Sequence, residues 1–277
     1  MRTVFVGVLA AGLLGTSAYA QTATWNGLSD HLQLDAGYFR LDANTKLRYN
    51  GPAGGSGEVD FEQDLGLPGA VNTFWVDGTW RVGRRHQVKL GFTHVSRERN
   101  EYTLQRDFTW GGETYNAGLT ANSTNSADVL GGYYRFSVYR NDRFEIGPTL
   151  GIGYLWLSAG IKATGTLTTP DGPSSRTLDS SVSTGSITAA IGGFANAWAT
   201  KRLALRGDFH YIKVKPENEE ATVTDWRLAA NYYITKTIGV GAQYKYNKYT
   251  YDRGILVSSL GGEVKYDGFQ IFASFLF

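Results

Sequence analysis

Thr237-Ile238-Gly239-Val240-Gly241-Ala242-Gln243-Tyr244-Lys245-Tyr246-Asn247 is the stretch that decides the fold. Ile238, Val240, Ala242, Tyr244 and Tyr246 share one parity; Gly239, Gly241, Gln243, Lys245 and Asn247 share the other. Successive side chains of a strand point to opposite faces, so this period predicts a strand with one apolar and one polar face. The pattern repeats outward along the chain. Residues 203–211 set Leu203, Leu205, Phe209 and Tyr211 against Ala204, Arg206, Asp208 and His210. Residues 222–234 set Trp226, Leu228, Ala230, Tyr232 and Ile234 against Asp225, Arg227, Asn231 and Tyr233. Residues 144–156 set Phe144, Ile146, Leu150, Ile152, Tyr154 and Trp156 against Glu145, Thr149 and three glycines.

A soluble sandwich alternates too, but its apolar faces form a core. Here the apolar faces carry Tyr or Trp near a segment end, as interfacial girdles do. The opposite faces mix glycine with charges of both signs, as a barrel interior does. Both features predict an all-β fold, a transmembrane antiparallel up-and-down β-barrel, over a secreted sandwich.

Turn spacing points to about ten strands. Short polar turns fall at Gly83-Arg84-Arg85-His86, Arg140-Asn141-Asp142-Arg143, Thr200-Lys201-Arg202 and Thr235-Lys236-Thr237. Longer turn-rich stretches span 51–69, 98–125, 165–184, 216–220 and 252–260. Short turns on one side and long loops on the other predict an outer-membrane arrangement with the short side periplasmic. About ten strands thread between them, near 31–49, 71–83, 86–97, 126–140, 143–164, 185–199, 203–215, 222–235, 237–251 and 261–277. Asp60–Leu65 leaves room for a further short strand, so eight or twelve stay open. Phase breaks at Asp267-Gly268 and Gly192-Gly193 predict two β-bulges.

The N-terminus reads as a secretory signal over residues 1–20: Arg2, an apolar run from Val4 to Gly15, and Ala18-Tyr19-Ala20 as a small-x-small cleavage site. Cleavage would leave residues 21–277 as the barrel, starting at Gln21. No other stretch resembles a membrane helix, and mean hydropathy is −0.26. With no cysteine, disulfides and thiolate metal sites are excluded. The formal net charge of +2 drops to +1 once Arg2 leaves, which makes no case for nucleic acid. His31, His86, His94 and His210 lack ligand spacing, so neither a metal nor another cofactor is expected.

The last residues, Phe269-Gln270-Ile271-Phe272-Ala273-Ser274-Phe275-Leu276-Phe277, resemble the terminal strand of bacterial outer-membrane proteins. Phe277, Phe275, Ala273, Ile271 and Phe269 match its alternating apolar positions and final aromatic. The resemblance implies that the barrel assembly machinery reads this strand. The whole mature chain is similar to the general class of small outer-membrane barrel proteins, including Asp64-Leu65-Gly66-Leu67-Pro68, Trp80-Arg81 and Gly83-Arg84-Arg85-His86. That class implies a location in the outer membrane of a Gram-negative bacterium, contact with its lipids and lipopolysaccharide, and no single activity.

Two catalytic patterns need weighing. His94-Val95-Ser96 resembles the His-x-Ser pair of outer-membrane lipid A deacylases, which implies His as base and Ser as nucleophile. Residues at i and i+2 share a strand face, here with Val88, Leu90 and Phe92. Glu98 and Glu101 are the candidate orienting acids; Arg97 stands where that family has Asn. In strand count, and in carrying acids and His on strands, the chain is also similar to the omptin proteases, but Asp208 and His210 fall within the wall. The remaining inward charges form a set: Arg206, Asp208, His210, Asp225, Arg227 and Lys245 on three successive strands, with Asp77, Arg81, Lys89, Arg135 and Glu145 before them. About eight strands leave room for side chains or one small ligand, and about sixteen to eighteen leave a channel. Ten strands favour a structural charge network over a pore. The expectation is a monomeric, non-catalytic barrel with exposed loops, structural or interaction-mediating or passing small solutes. The alternative is a lipid-modifying enzyme.

Overall fold

Three of the short turns close by one local device. Asn141 Oδ1 accepts from the backbone N–H groups of Arg143 and Phe144, at 2.9 and 2.7 Å. Thr200 Oγ1 does the same for Arg202 and Leu203, and Thr235 Oγ1 for Thr237 and Ile238. Such side-chain bonds replace the turn's missing backbone partners, which is why Asn and Thr start these turns.

The computed structural model describes residues 31–50, 56–110, 113–169, 172–214, 219–255 and 258–277. The expected signal segment, residues 1–20, and most of the 216–220 stretch lie outside the described residues. In chain order the strands are β1 (Leu32–Asn50), β2 (Ser56–Asp60), β3 (Ala70–Arg81), β4 (His86–Thr103), β5 (Phe108–Trp110), β6 (Glu113–Tyr115) and β7 (Thr120–Phe136). They continue as β8 (Tyr139–Arg140), β9 (Phe144–Thr169), β10 (Gly172–Trp198), β11 (Leu203–Val214), β12 (Glu219–Tyr233), β13 (Ile238–Ile255) and β14 (Ser258–Leu276).

Ten of these close a ring in the order β1, β3, β4, β7, β9, β10, β11, β12, β13, β14 and back to β1, every pair antiparallel. Both described ends meet at the short-turn mouth, where the Leu32 N–H donates to the Phe277 carbonyl at 3.0 Å. The short β2 and β8 pair onto β1 and β9, and β5 with β6 forms a separate hairpin.

Burial is inverted relative to a soluble sheet. Ile187 and Phe269 are each 71% exposed on the outer wall, with Phe74, Leu150, Ile152, Leu228 and Ile271 also exposed. The inner wall buries Asp35, Lys89, Arg135, Asp208, Arg227, Asn231, Gln243 and Gln270. An apolar outside and a polar inside fit a wall solvated by lipid. A bilayer takes about 9–11 strand residues. With 26 and 27 residues, β9 and β10 run well past it.

The interior holds apolar layers as well. Phe39, Leu41, Trp75, Tyr266 and Phe272 form a buried layer, with Trp75 and Phe272 edge-on at 5.4 Å. Toward the long-loop end Val59, Phe61, Leu65, Leu67, Leu104, Phe108, Tyr115 and Leu119 pack into an apolar head.

Two expectations are corrected. The long stretches at 98–125 and 165–184 are mostly strand, because β4, β7, β9 and β10 stay hydrogen-bonded above the membrane. Neither Asp267-Gly268 nor Gly192-Gly193 makes a bulge. The register runs unbroken through Asp42↔Asp267, Leu41↔Gly268 and Arg40↔Phe269, and through Ile191↔Tyr211, Gly192↔His210 and Gly193↔Phe209. Val264 and Tyr266 are apolar and inward-facing because they join the upper core. Gly192 is needed for close approach: a Cβ there would lie 1.9 Å from the Phe209 carbonyl oxygen. The register irregularity of the wall instead falls between Arg99 and Tyr102, where Glu101 has φ 55°.

Candidate functional site

Strand parity and register bring the inward charges together near the short-turn half of the barrel. Register pairs Asp208 with Arg227 and His210 with Asp225 across β11 and β12. Arg227 donates through Nε to Asp208, and through Nη1 to Asp77 at 2.6 Å. Arg135, three strands away round the ring on β7, donates to the other oxygen of Asp208. Lys89 Nζ stands 3.2 Å from Asp77 and 3.9 Å from Asp208. These five side chains come from β3, β4, β7, β11 and β12 and clamp the lumen across its width. Charge-assisted bonds of this kind are strong where water is scarce, provided each charge is paired.

Below the clamp, Arg81 grips Glu145 through both terminal nitrogens at 2.9 Å. Arg206 Nη1 is 3.4 Å from Asp35, and its Nη2 donates to the Tyr233 hydroxyl at 2.6 Å. Above it, His210 Nδ1 lies 3.2 Å from Asp225 Oδ1, and its ring stacks on Tyr133 at 4.5 Å. Lys245 is the register partner of Arg227 and acts electrostatically on Asp77 and Asp225.

The sequence reading missed a second polar set that ties the head to the wall. Arg97 donates to Glu62, to Thr45 Oγ1 at 2.6 Å and to Asn125 Oδ1 at 2.9 Å. Arg106 grips both oxygens of Asp64, whose hydrogen bonds, and after them its charge, hold that guanidinium above its ordinary pKa. The turn at Phe61–Leu67 is thus anchored to β4 and to the loop after it. Asp35 was missed as well. Its inward parity on β1 was legible, but its partner sits 171 residues away.

His94 and Ser96 face outward on β4, with exposed Leu90 and Phe92 below them. The acid beside His94 is Asp128, its register partner on β7, in hydrogen-bond contact through Nδ1. This corrects the expectation of Glu98 or Glu101. Glu98 stands opposite Thr124, and the Glu101 N–H donates to Asn122 Oδ1 at 2.9 Å. Phe269, Ile271, Phe275 and Phe277 all point to the outer wall. Among the described residues no group of His, Asp and Glu could hold a metal ion.

No protein-family model and no curated protein matches the chain. Among solved structures it is similar to the outer membrane protease OmpT of Escherichia coli, at 11% identity and a TM-score of 0.57, covering 90% of this chain and 97% of that one. Looser likenesses, too distant to bear on function, link it to the toluene transporter TodX of Pseudomonas putida and the attachment invasion locus protein Ail of Yersinia pestis. TodX has 8% identity and a TM-score of 0.38, covering 93% of this chain and 92% of that one. Ail has 11% identity and a TM-score of 0.34, covering 87% of this chain and 98% of that one. The chain therefore has the fold of the bacterial outer-membrane β-barrels.

Proposed function

We propose that this protein is a monomeric, non-conducting and non-catalytic barrel of the Gram-negative outer membrane. It carries a rigid packed head beyond the bilayer for a structural or interaction role. The observation that carries the reading is that side chains fill the barrel at two levels, in the Asp77–Lys89–Arg135–Asp208–Arg227 clamp and in the apolar head. The His–Asp pair inside the barrel, His210–Asp225, is poorly placed for a peptide, since His210 is 2% exposed. The outer wall would meet lipopolysaccharide and other outer-membrane lipids. Phe277 and the strand before it would be read by the assembly machinery after export. Reconstituted in planar bilayers, the mature chain should give no steady current. Large, long-lived single-channel steps would replace this reading with a diffusion pore.

One observation favours a second reading. His94 bonded to Asp128, with Ser96 two residues on along the same face, puts a base, its orienting acid and a hydroxyl on the lipid side of the wall. An imidazole so oriented can take the proton of a nearby hydroxyl. The matching activity is hydrolysis of an acyl ester in the outer leaflet. The leading reading expects no fatty acid release from lipopolysaccharide by wild type. Release that is abolished by Ser96→Ala would establish the enzyme instead.

A further inference from the structure

Between the clamp and the short-turn mouth lies a cavity of about 40 Å³. We propose that it is a binding site for one small oxyanion, of the size of formate or inorganic phosphate. Arg81, Arg135, Arg206 and Arg227 all face it, with Gln33 and Gln87 between them, and no carboxylate lines it.

Two independent features point to a missing acceptor. The first is unspent donors. Gln87 is 2% exposed and Arg135 3%, yet Gln87 Nε2, Arg135 Nε and Arg81 Nε have no hydrogen-bond partner among the described residues. Buried donors of this kind cost stability unless something accepts from them. The second is charge. Arg81, Lys89, Arg135, Arg206 and Arg227 carry five positive charges, against four on Asp35, Asp77, Glu145 and Asp208. One layer up, Lys245 and Asp225 are of opposite sign and leave the count unchanged. Water can accept from the orphan donors but cannot cancel the charge.

Size selects the ligand. A water needs roughly 10–15 Å³ of such space, so the cavity takes about three waters or one compact oxyanion. A planar or tetrahedral oxyanion also presents several acceptors at once, matching guanidinium and amide donors that converge from different strands.

The test uses the full mature chain refolded in detergent micelles. Thermal unfolding is followed in sodium formate, sodium phosphate and, as reference, sodium gluconate, whose anion is too bulky for the cavity, all at one ionic strength. Formate or phosphate should raise the unfolding temperature saturably, by about 3–6 °C at tenfold above the dissociation constant. Gln87→Leu should unfold in gluconate near the wild-type temperature, since its amide nitrogen already lacks a partner, and should lose most of the anion response. Lys248→Gln, on the outer wall at the far end, should keep the full response. Failure of both anions to exceed gluconate overturns the proposal. So does an equal response in wild type and Gln87→Leu, which would mark a general salt effect.

Discussion

Asp208→Ala is expected to destabilise the folded barrel by about 3–5 kcal/mol, the usual cost of stranding buried charge. Its carboxylate is the hub of the clamp, with Arg135 on one oxygen and Arg227 on the other, and Lys89 at 3.9 Å. Removing it leaves three buried cations facing Asp77 alone. Arg227→Ala should cost distinctly less. Asp77 then keeps Lys89 at 3.2 Å, and Asp208 keeps Arg135. Urea unfolding of both variants in micelles measures the difference. An Asp208→Ala loss no larger than that of Arg227→Ala would show that the network does not hold the wall together.

Gly192→Ala should have a comparable effect for a steric reason. The added Cβ would fall 1.9 Å from the Phe209 carbonyl oxygen and 2.8 Å from the His210 Cα, both backbone atoms. Flexible side chains could move aside, but here β10 would have to move off β11. β10 is also laddered to β9 along its length, and the ring has no free edge to absorb the shift. Overpacking costs typically about 1–3 kcal/mol, and backbone overlap in a closed sheet belongs at or above the top of that range. The neighbour supplies the control. A Cβ at Gly193 meets only the Gly147 carbonyl oxygen at 3.4 Å, so Gly193→Ala should fold with wild-type yield. The fraction that stays folded on unheated gels reads both. Equal yields would place the strands further apart than the register implies.

Strand identity, the ten-stranded barrel and the outward turn of the apolar faces were legible in residues such as Ile238–Tyr246. Lipid imposes a two-residue period that no loop imitates. The inward parity of Arg206, Asp208, Asp225 and Arg227 was legible for the same reason. Legibility ended where the lipid ends. Above the bilayer the outer face of β10 is Ser- and Thr-rich, so its strand from Gly172 read as loop, although its ladder to β9 is complete.

Period alone predicts two bulges at glycines. The ladder has none there, because the inward face of β14 carries apolar as well as polar side chains, so Tyr266 and Phe269 can both be apolar on opposite faces. Sequence by itself determined which side chains share a face, since that needs only the parity of one strand. Only the tertiary structure decided which charges meet. Asp77, Arg135 and Arg227 lie on strands far apart in the chain, and Asp128 reaches His94 only through the register of two strands. Parity is a local property of the backbone, whereas partnership across a lumen depends on ring closure and stagger, which ten strands settle jointly through their hydrogen bonds.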